Sequence, residues 1–103
     1  MEELPLTAGH PVVALFSALA NPIRASIVHR LTSAPASVNE LVEWLSVTQP
    51  LVSHHLKILR DAHLVEASKE GRRSVYSLVD DHVAHIYLDA LTHMKEHNHD
   101  CDH

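Results

Sequence analysis

The C-terminal stretch of the chain, residues 80–103, concentrates side chains that bind cations. Its sequence, DDHVAHIYLDALTHMKEHNHDCDH, holds six histidines and six acidic residues against a single lysine. Neutral imidazoles and carboxylates are common ligands of zinc and related divalent ions, whereas an acidic tail used only for solubility would not need imidazole. The composition therefore predicts a metal site, provided that the elements carrying these residues bring them together.

Length and composition indicate one small domain. The chain has 103 residues, of which 46% are hydrophobic, and a formal net charge of −5. We predict a single domain over residues 1–98 and a His/Asp/Cys tail over 99–103. The one cysteine, Cys101, excludes an intramolecular disulfide framework and suits a reducing compartment. The apolar run PVVALFSALA lacks a basic flank and is too short to span a bilayer, so we expect a cytoplasmic protein.

The net charge hides an asymmetry along the chain. Residues 48–73 hold five basic residues against three acidic ones, the reverse of the C-terminal stretch. Ionic screening limits the field of a charge to about 10 Å, so local charge decides whether a surface meets phosphate. One part of the chain suits DNA and the other suits cations.

Periodicity and capping signals predict four helices, a β-hairpin and a last helix. The helices cover about 11–20, 22–33, 38–45 and 49–62, and Ser37 with Glu40 forms a capping box for the third. The strand-like runs LVEAS and SVYSLV flank a charged turn around Gly71, and Asp80 or Asp81 caps a helix that runs to about His97. The order α-α-α-α-β-β-α is mainly α with a β-hairpin wing. Two short helices joined by a three-residue turn and followed by a basic hairpin make a winged helix-turn-helix.

The fourth helix has the character of a DNA recognition helix. Val52, Leu56 and Leu59 line one face, and polar groups line the other. Early solvent-facing positions of such a helix touch base edges, and basic residues further along it and in the wing hold phosphates. The predicted base contacts are Gln49, Pro50, Ser53 and His54, and the predicted phosphate contacts are Lys57, Arg72 and Arg73. The alternative is an ordinary polar outer face of a helical bundle.

The segment QPLVSHHLKILRDAHLVEASKEGRRSVYSLVDDHV resembles the recognition helix, wing and last-helix start of the ArsR/SmtB family of metal-sensing bacterial repressors. The likeness extends over about residues 11–97. It implies a homodimer that binds an inverted-repeat operator in double-stranded DNA and leaves it on binding metal. It also implies that the four predicted base contacts lie at major-groove positions, with Arg72 and Arg73 in the wing. The third helix, SVNELVEWL, lacks the cysteine box of the family's arsenic and cadmium/lead sensors, which excludes a thiolate site there.

The last helix carries two neighbouring stripes. One is apolar and suited to packing on its own domain, and it consists of Val83, Tyr87, Ala90, Leu91 and Met94. The other consists of His82, Ile86, Asp89, His93 and Glu96. His82 and His93 share an azimuth but lie about 16 Å apart along the axis, so they cannot share a metal within one helix.

Two copies of this helix that cross antiparallel about a twofold axis remove the difficulty. Asp80 and His82 of one subunit then meet His93 and Glu96 of the other, and symmetry creates two identical intersubunit sites. The resemblance agrees, since the family's last-helix zinc site matches these four residues by spacing. Two imidazoles and two carboxylates suit tetrahedral Zn(II), which Co(II) can mimic.

Two features leave the ligand set open. His97 competes with Glu96, because His93 and His97 at i, i+4 can chelate alone. The tail residues His99, Asp100, Cys101 and His103 are either extra ligands or part of a disordered end. Tail ligands would raise the coordination number to six and favour Ni(II) or Co(II).

The leading hypothesis is a zinc-responsive repressor that is released from DNA by metal. The alternatives are a nickel- or cobalt-responsive repressor that uses the tail, and a metal-buffering protein that never binds DNA. The sequence shows no nucleophile with a nearby base, no phosphate loop and no HExxH motif. A metal with four protein ligands also leaves no open position for a substrate, so an enzyme is not expected.

Overall fold

The computed structural model describes residues 5–98, which form five helices and three strands. In chain order they are α1 Pro11–Leu19, α2 Pro22–Leu31, β1 Ala36–Ser37, α3 Val38–Leu45, α4 Gln49–Asp61, β2 Val65–Glu70, β3 Arg73–Leu78 and α5 Asp81–Asn98. The predicted winged helix-turn-helix is confirmed, with one strand, β1, that was not predicted. The predicted tail of residues 99–103 lies outside the described residues.

The first two helices are separated by a cap. The Asn21 side chain accepts hydrogen bonds from the backbone N–H groups of Ile23 and Arg24, at 2.9 and 3.1 Å. Pro22 occupies the first turn of α2, where its missing N–H costs nothing. The cap therefore ends α1 and starts α2 in a new direction.

The capping box of α3 is confirmed. The Ser37 hydroxyl accepts from the Glu40 N–H at 3.1 Å, and the Glu40 carboxylate accepts from the Ser37 N–H at 2.8 Å. The second of these hydrogen bonds favours the charged carboxylate and lowers the pKa of Glu40. A left-handed Ser46, with φ of 58°, ends α3 and turns the chain into α4.

The sheet is antiparallel in the order β1-β3-β2. Strands β2 and β3 form the predicted wing, with Val65 opposite Leu78 and Glu70 opposite Arg73. Gly71 begins the turn with φ of +67°, a conformation that a residue without Cβ adopts without strain. The two residues of β1 pair with β3 and so attach the wing to the start of α3. A strand of this length has no periodicity that a sequence could display.

The core joins α2, α3, α4 and the start of α5. The predicted inner face of α4 is confirmed by the burial of its apolar residues. The fully buried side chains are Ile27, Val28, Leu41, Val52, Leu56, Leu59 and Leu64. This packing fixes which face of α4 is turned toward solvent.

Helix α5 is only partly attached to the domain. The Asp80 carboxylate caps it by accepting from the Val83 N–H at 3.2 Å, and Val83 is buried. Tyr87 and Leu91 are half-buried, whereas every residue from Thr92 to Asn98 is exposed, and so is Ala90. The prediction that the whole apolar stripe packs on its own domain was therefore wrong for Ala90 and Met94. The helix is longer than the surface that α2 and β3 offer it.

No single helix within residues 5–98 is long and apolar enough to cross a membrane. Only α1 and α2 taken together reach the necessary length and composition, and they are bent by 94° relative to each other.

Candidate functional site

The outer face of α4 presents the residues predicted to contact bases. The Thr48 hydroxyl caps the helix by accepting from the Leu51 N–H at 3.4 Å, and Pro50 lies in the first turn. Burial of Val52, Leu56 and Leu59 on the inner face turns the opposite face of α4 toward solvent. The predicted contacts on α4 are all exposed, namely Gln49, Pro50, Ser53, His54 and Lys57.

The wing and α3 border an open groove of about 540 Å³ next to the start of α4. Gln49, Arg72 and Arg73 all line it, so the structure brings a predicted base contact together with both predicted phosphate contacts of the wing. Arg72 is exposed at the tip, and the Arg73 guanidinium lies 3.6 Å from the Glu40 carboxylate. Sequence reasoning found Glu40 as a cap but missed this ion pair, which depends on how the wing folds back on α3.

Lys57 lies on the same outer face of α4 and has a partner there. Its ammonium group is 3.1 Å from the Asp61 carboxylate, and both side chains are well exposed. An exposed ion pair of this kind contributes little to stability and exchanges readily for another anion. Lys57 therefore remains able to meet a phosphate.

The residue next to the predicted contacts, His55, points inward and was missed. Its side chain is 7% exposed, and Arg24 Nη1 donates to His55 Nδ1 at 3.1 Å. Arg24 Nε also donates to the Ala18 carbonyl at 2.7 Å, so these bonds tie α4 to α2 and the end of α1. Burial, and then the Arg24 charge, lower the pKa of His55. The signal was present, since position 55 falls between the buried positions 52 and 59 at helical spacing.

The four predicted metal ligands form two groups on α5. Asp80 and His82 lie at its start, with 3.6 Å between Asp80 Oδ1 and His82 Nδ1. His93 and Glu96 lie near its end, where the His93 ring is 4.3 Å from the His97 ring between centroids. All four predicted ligands are exposed.

The structure of one chain does not bring these two groups together. Among residues 5–98, no three His, Cys, Asp or Glu side chains are close enough to hold one metal ion. Of the four predicted ligands, each end of α5 carries one imidazole and one carboxylate, so the predicted four-ligand site would need a second copy. The donor chemistry suits Zn(II), with no thiolate among the four residues. The intersubunit site stays a prediction.

Large apolar side chains are exposed on the helices at the two ends of the described chain. Val12 and Phe16 lie on α1, where Phe16 is 58% exposed, and Leu88 and Met94 lie on α5.

Known proteins are similar to this chain in sequence and in fold. A family model described as "Bacterial regulatory protein, arsR family" matches residues 21–67. The chain is 50% identical over 82 residues to the HTH-type transcriptional repressor SmtB of Mycobacterium tuberculosis. These residues cover 80% of this chain and 61% of that protein. It is 40% identical over 92 residues to the HTH-type transcriptional regulator NmtR of the same species. These residues cover 89% of this chain and 76% of that protein. The chain thus spans less than two thirds of the first relative's length.

A solved structure supports the same fold. It is described as the homodimeric winged helix-turn-helix DNA-binding domain of "a possible ArsR-family transcriptional regulator" from Mycobacterium bovis. It matches with a TM-score of 0.81 at 26% identity, over 88% of this chain and 93% of that one.

Proposed function

The chain belongs to the ArsR family of bacterial regulatory proteins, and on that premise we propose that it is a metal-responsive transcriptional repressor rather than an enzyme. In this proposal it acts in the cytoplasm as a homodimer on operator DNA and is released by Zn(II). The observation that supports the proposal is that Gln49, Arg72 and Arg73, three predicted DNA contacts, line one groove within one chain, whereas the four predicted metal ligands lie in two separate pairs along α5.

The DNA-binding role uses α4 and the wing. In a major groove, Gln49, Ser53 and His54 offer hydrogen-bonding groups to base edges, and Pro50 allows close approach. Lys57, Arg72 and Arg73 neutralise phosphates and set the register. Two such faces related by a twofold axis fit an inverted repeat whose half-sites are roughly one helical turn apart, about 34 Å.

The dimer supplies the metal sites. The exposed apolar residues of α1 and α5 favour pairing with a second copy, as in the homodimeric relative from Mycobacterium bovis. An antiparallel α5 pair then joins Asp80 and His82 of one subunit to His93 and Glu96 of the partner subunit, twice per dimer. When bound, Zn(II) cross-links the subunits through these four residues.

The switch acts where α4 ends. From the resemblance to the family's zinc sensors, we propose that the backbone carbonyl of His63 accepts a hydrogen bond from the second N–H of His93. His63 has φ of 62°, its N–H donates to the Arg60 carbonyl at 2.9 Å, and the Leu64 N–H donates to the Leu59 carbonyl at 2.9 Å. This pair of bonds is a Schellman motif that fixes the His63 carbonyl to the end of α4. Metal on His93 thus orients a ring that holds the recognition helix.

Mixing two inactive variants tests the shared site directly. His82→Ala removes one ligand from both sites of its homodimer, and His93→Ala does the same, so each variant alone binds zinc weakly. A heterodimer of the two has one site that lacks both histidines and one intact site. Zinc titration of a refolded equimolar mixture should therefore restore one tight zinc per heterodimer. A matched mixture of His82→Ala with His82→Ala/His85→Ala has no intact site and is the control.

The outcomes separate the candidates. Mixtures that recover no tight zinc site would contradict the intersubunit arrangement. If the unmutated, metal-free protein shows no salt-dependent binding to operator DNA, that result would contradict repression and favour the metal-buffering alternative.

A nickel or cobalt response is the second candidate function. The short distance between the His93 and His97 rings favours it, because an i, i+4 histidine pair chelates these ions. Deletion of residues 99–103 distinguishes the two. We expect zinc still to release the shortened protein from DNA. A nickel response that depends on His99, Asp100, Cys101 or His103 would be lost.

A further inference from the structure

Helix α2 makes a polar contact with the middle of α5. His29 Nδ1 and the Tyr87 hydroxyl oxygen share a hydrogen bond of 2.9 Å, and the two rings meet edge to face with centroids 5.5 Å apart. Tyr87 is half-buried and packs against the hydrophobic core. The contact combines a directional bond with ring packing, so it fixes both the position and the rotation of α5 on α2.

Tyr87 lies between the two half-sites of the same helix. It follows His82 by five residues and precedes His93 by six. Residues 92–98 are all exposed. A force applied at the half-site of His93 and Glu96 therefore reaches the domain through the segment that contains Leu91 and Tyr87, whereas the other half-site adjoins the buried Val83.

The other end of α2 holds the recognition helix. Arg24, one turn and a half before His29, donates to the buried His55 of α4 and to the Ala18 carbonyl. The ten residues of α2 form one short helix with a buried apolar face. α2 thus carries one polar contact to the metal-bearing helix and another to the DNA-reading helix.

We propose that Tyr87 and His29 are positioning residues that transmit metal binding on α5 to α4 through α2. This inference rests on the proposed function, because it needs zinc on α5 and DNA on α4. Zinc would fix α5 against its partner copy, the Tyr87–His29 contact would carry that constraint to α2, and Arg24 with His55 would carry it to α4. The path is separate from the contact between His93 and His63 and works beside it.

Removing the hydroxyl while keeping the ring tests the link. In Tyr87→Phe the ring still packs on the core, and in His29→Leu the bond is lost from the other side. The quantity to measure is the ratio of operator Kd values with and without saturating zinc, by fluorescence anisotropy. We expect this ratio to fall by roughly threefold to thirtyfold in each variant. The operator Kd without metal and the zinc affinity should stay within about twofold of the parent values.

Three further variants make the result specific. The double variant Tyr87→Phe/His29→Leu should lower the ratio no further than either single change, because both remove one bond. His29→Asn places an oxygen or nitrogen two bonds from Cβ, as Nδ1 does, and should restore much of the ratio. His85→Asn removes an exposed histidine from the same helix and should leave the ratio unchanged.

Failure of the link is distinguishable from failure of the proposed function. A parent whose operator affinity ignores zinc would overturn both. A parent that responds to zinc, with Tyr87→Phe and His29→Leu responding equally well, would overturn the link alone. Additive losses in the double variant would also overturn it, since they would show two independent structural effects.

Discussion

The surface predicted to face DNA and the helix that carries the predicted metal ligands are built in opposite ways. On α4 and the wing, each predicted contact is held by residues of the same chain, through the Thr48 cap, the buried inner face and the Arg73–Glu40 pair. On α5, the donors stand exposed at two ends of one helix, and no three of them meet within the described chain.

This difference indicates how a small domain separates binding from control. A surface completed by one chain is available in every molecule, whereas a site divided between chains exists only in one arrangement of the dimer. A ligand shifts an equilibrium only as far as its affinity differs between the two states. In the proposed dimer a divided site would provide that difference, because zinc would bind tightly only where the two helices are correctly paired.

The largest expected effect tests whether the DNA-facing surface depends on the single-chain core. Leu59→Ala removes a fully buried side chain from the inner face of α4 and should lower the free energy of unfolding by about 2–5 kcal/mol. His85→Ala, on the exposed part of α5, should change it by less than about 0.5 kcal/mol. Urea denaturation of both metal-free variants, at one fixed protein concentration, measures both changes. Equal losses would contradict the contrast between the two regions.

The next prediction sharpens the comparison at the metal helix. In His93→Asp a carboxylate can still ligate zinc but has no N–H to donate to the His63 carbonyl. We expect the variant to bind zinc, more weakly than the parent, and to stay on its operator when zinc is saturating. The loss corresponds to about 1–3 kcal/mol of coupling free energy. Anisotropy titrations of labelled operator with and without zinc measure it.

The opposite result for His93→Asp is equally clear. Release by saturating zinc as complete as in the parent would show that the His93–His63 contact is not the switch. It would leave the Tyr87–His29 contact, or rigidification of the dimer as a whole, as the route.

The local signals in the sequence were sufficient for most of the fold. The capping box at Ser37, the break at Asn21-Pro22 and the glycine turn at Gly71 each act within a few residues, and the structure has all three. The β1 strand and the free end of α5 could not be predicted in this way. Both depend on where distant elements lie, and Met94 satisfies the apolar periodicity whether or not a surface is there to receive it.

In the candidate sites too, features set by local sequence could be predicted, and contacts between distant elements could not. Exposure of the α4 contacts followed from helical periodicity alone. The partners of Arg73, His29 and His55 did not, because each lies on another element far away in sequence. His55 is instructive, since helical spacing placed it inward although its side chain is polar, and only the structure supplies the arginine that makes its burial tolerable.

A smaller effect compares two threonines, one in each region. Thr48 caps α4, so Thr48→Ala should destabilise the protein by about 1 kcal/mol. Thr92 lies exposed inside α5, where alanine is the better helix former, so Thr92→Ala should be neutral or stabilising by a few tenths of a kcal/mol. Thermal unfolding of the two variants beside the parent checks the pair. A loss of the same size at both positions would argue against a specific cap at Thr48.

The smallest expected effect is confined to acid pH and concerns His55, the buried residue of α4 that accepts a hydrogen bond from Arg24. Burial lowers the pKa of His55 in the folded protein, whereas in the unfolded chain it lies near the ordinary value of about 6.5. The unfolded state therefore takes up a proton at higher pH than the folded state does. The stability that neutral His55 contributes is complete above about pH 6.5 and is lost as pH falls through the lower folded pKa. His55→Asn keeps an acceptor for Arg24 but does not titrate. The difference in unfolding free energy, parent minus variant, should be constant above about pH 7 and decrease toward acid. Urea titrations at a series of pH values measure this difference, and parallel curves down to acid pH would contradict a neutral, buried anchor.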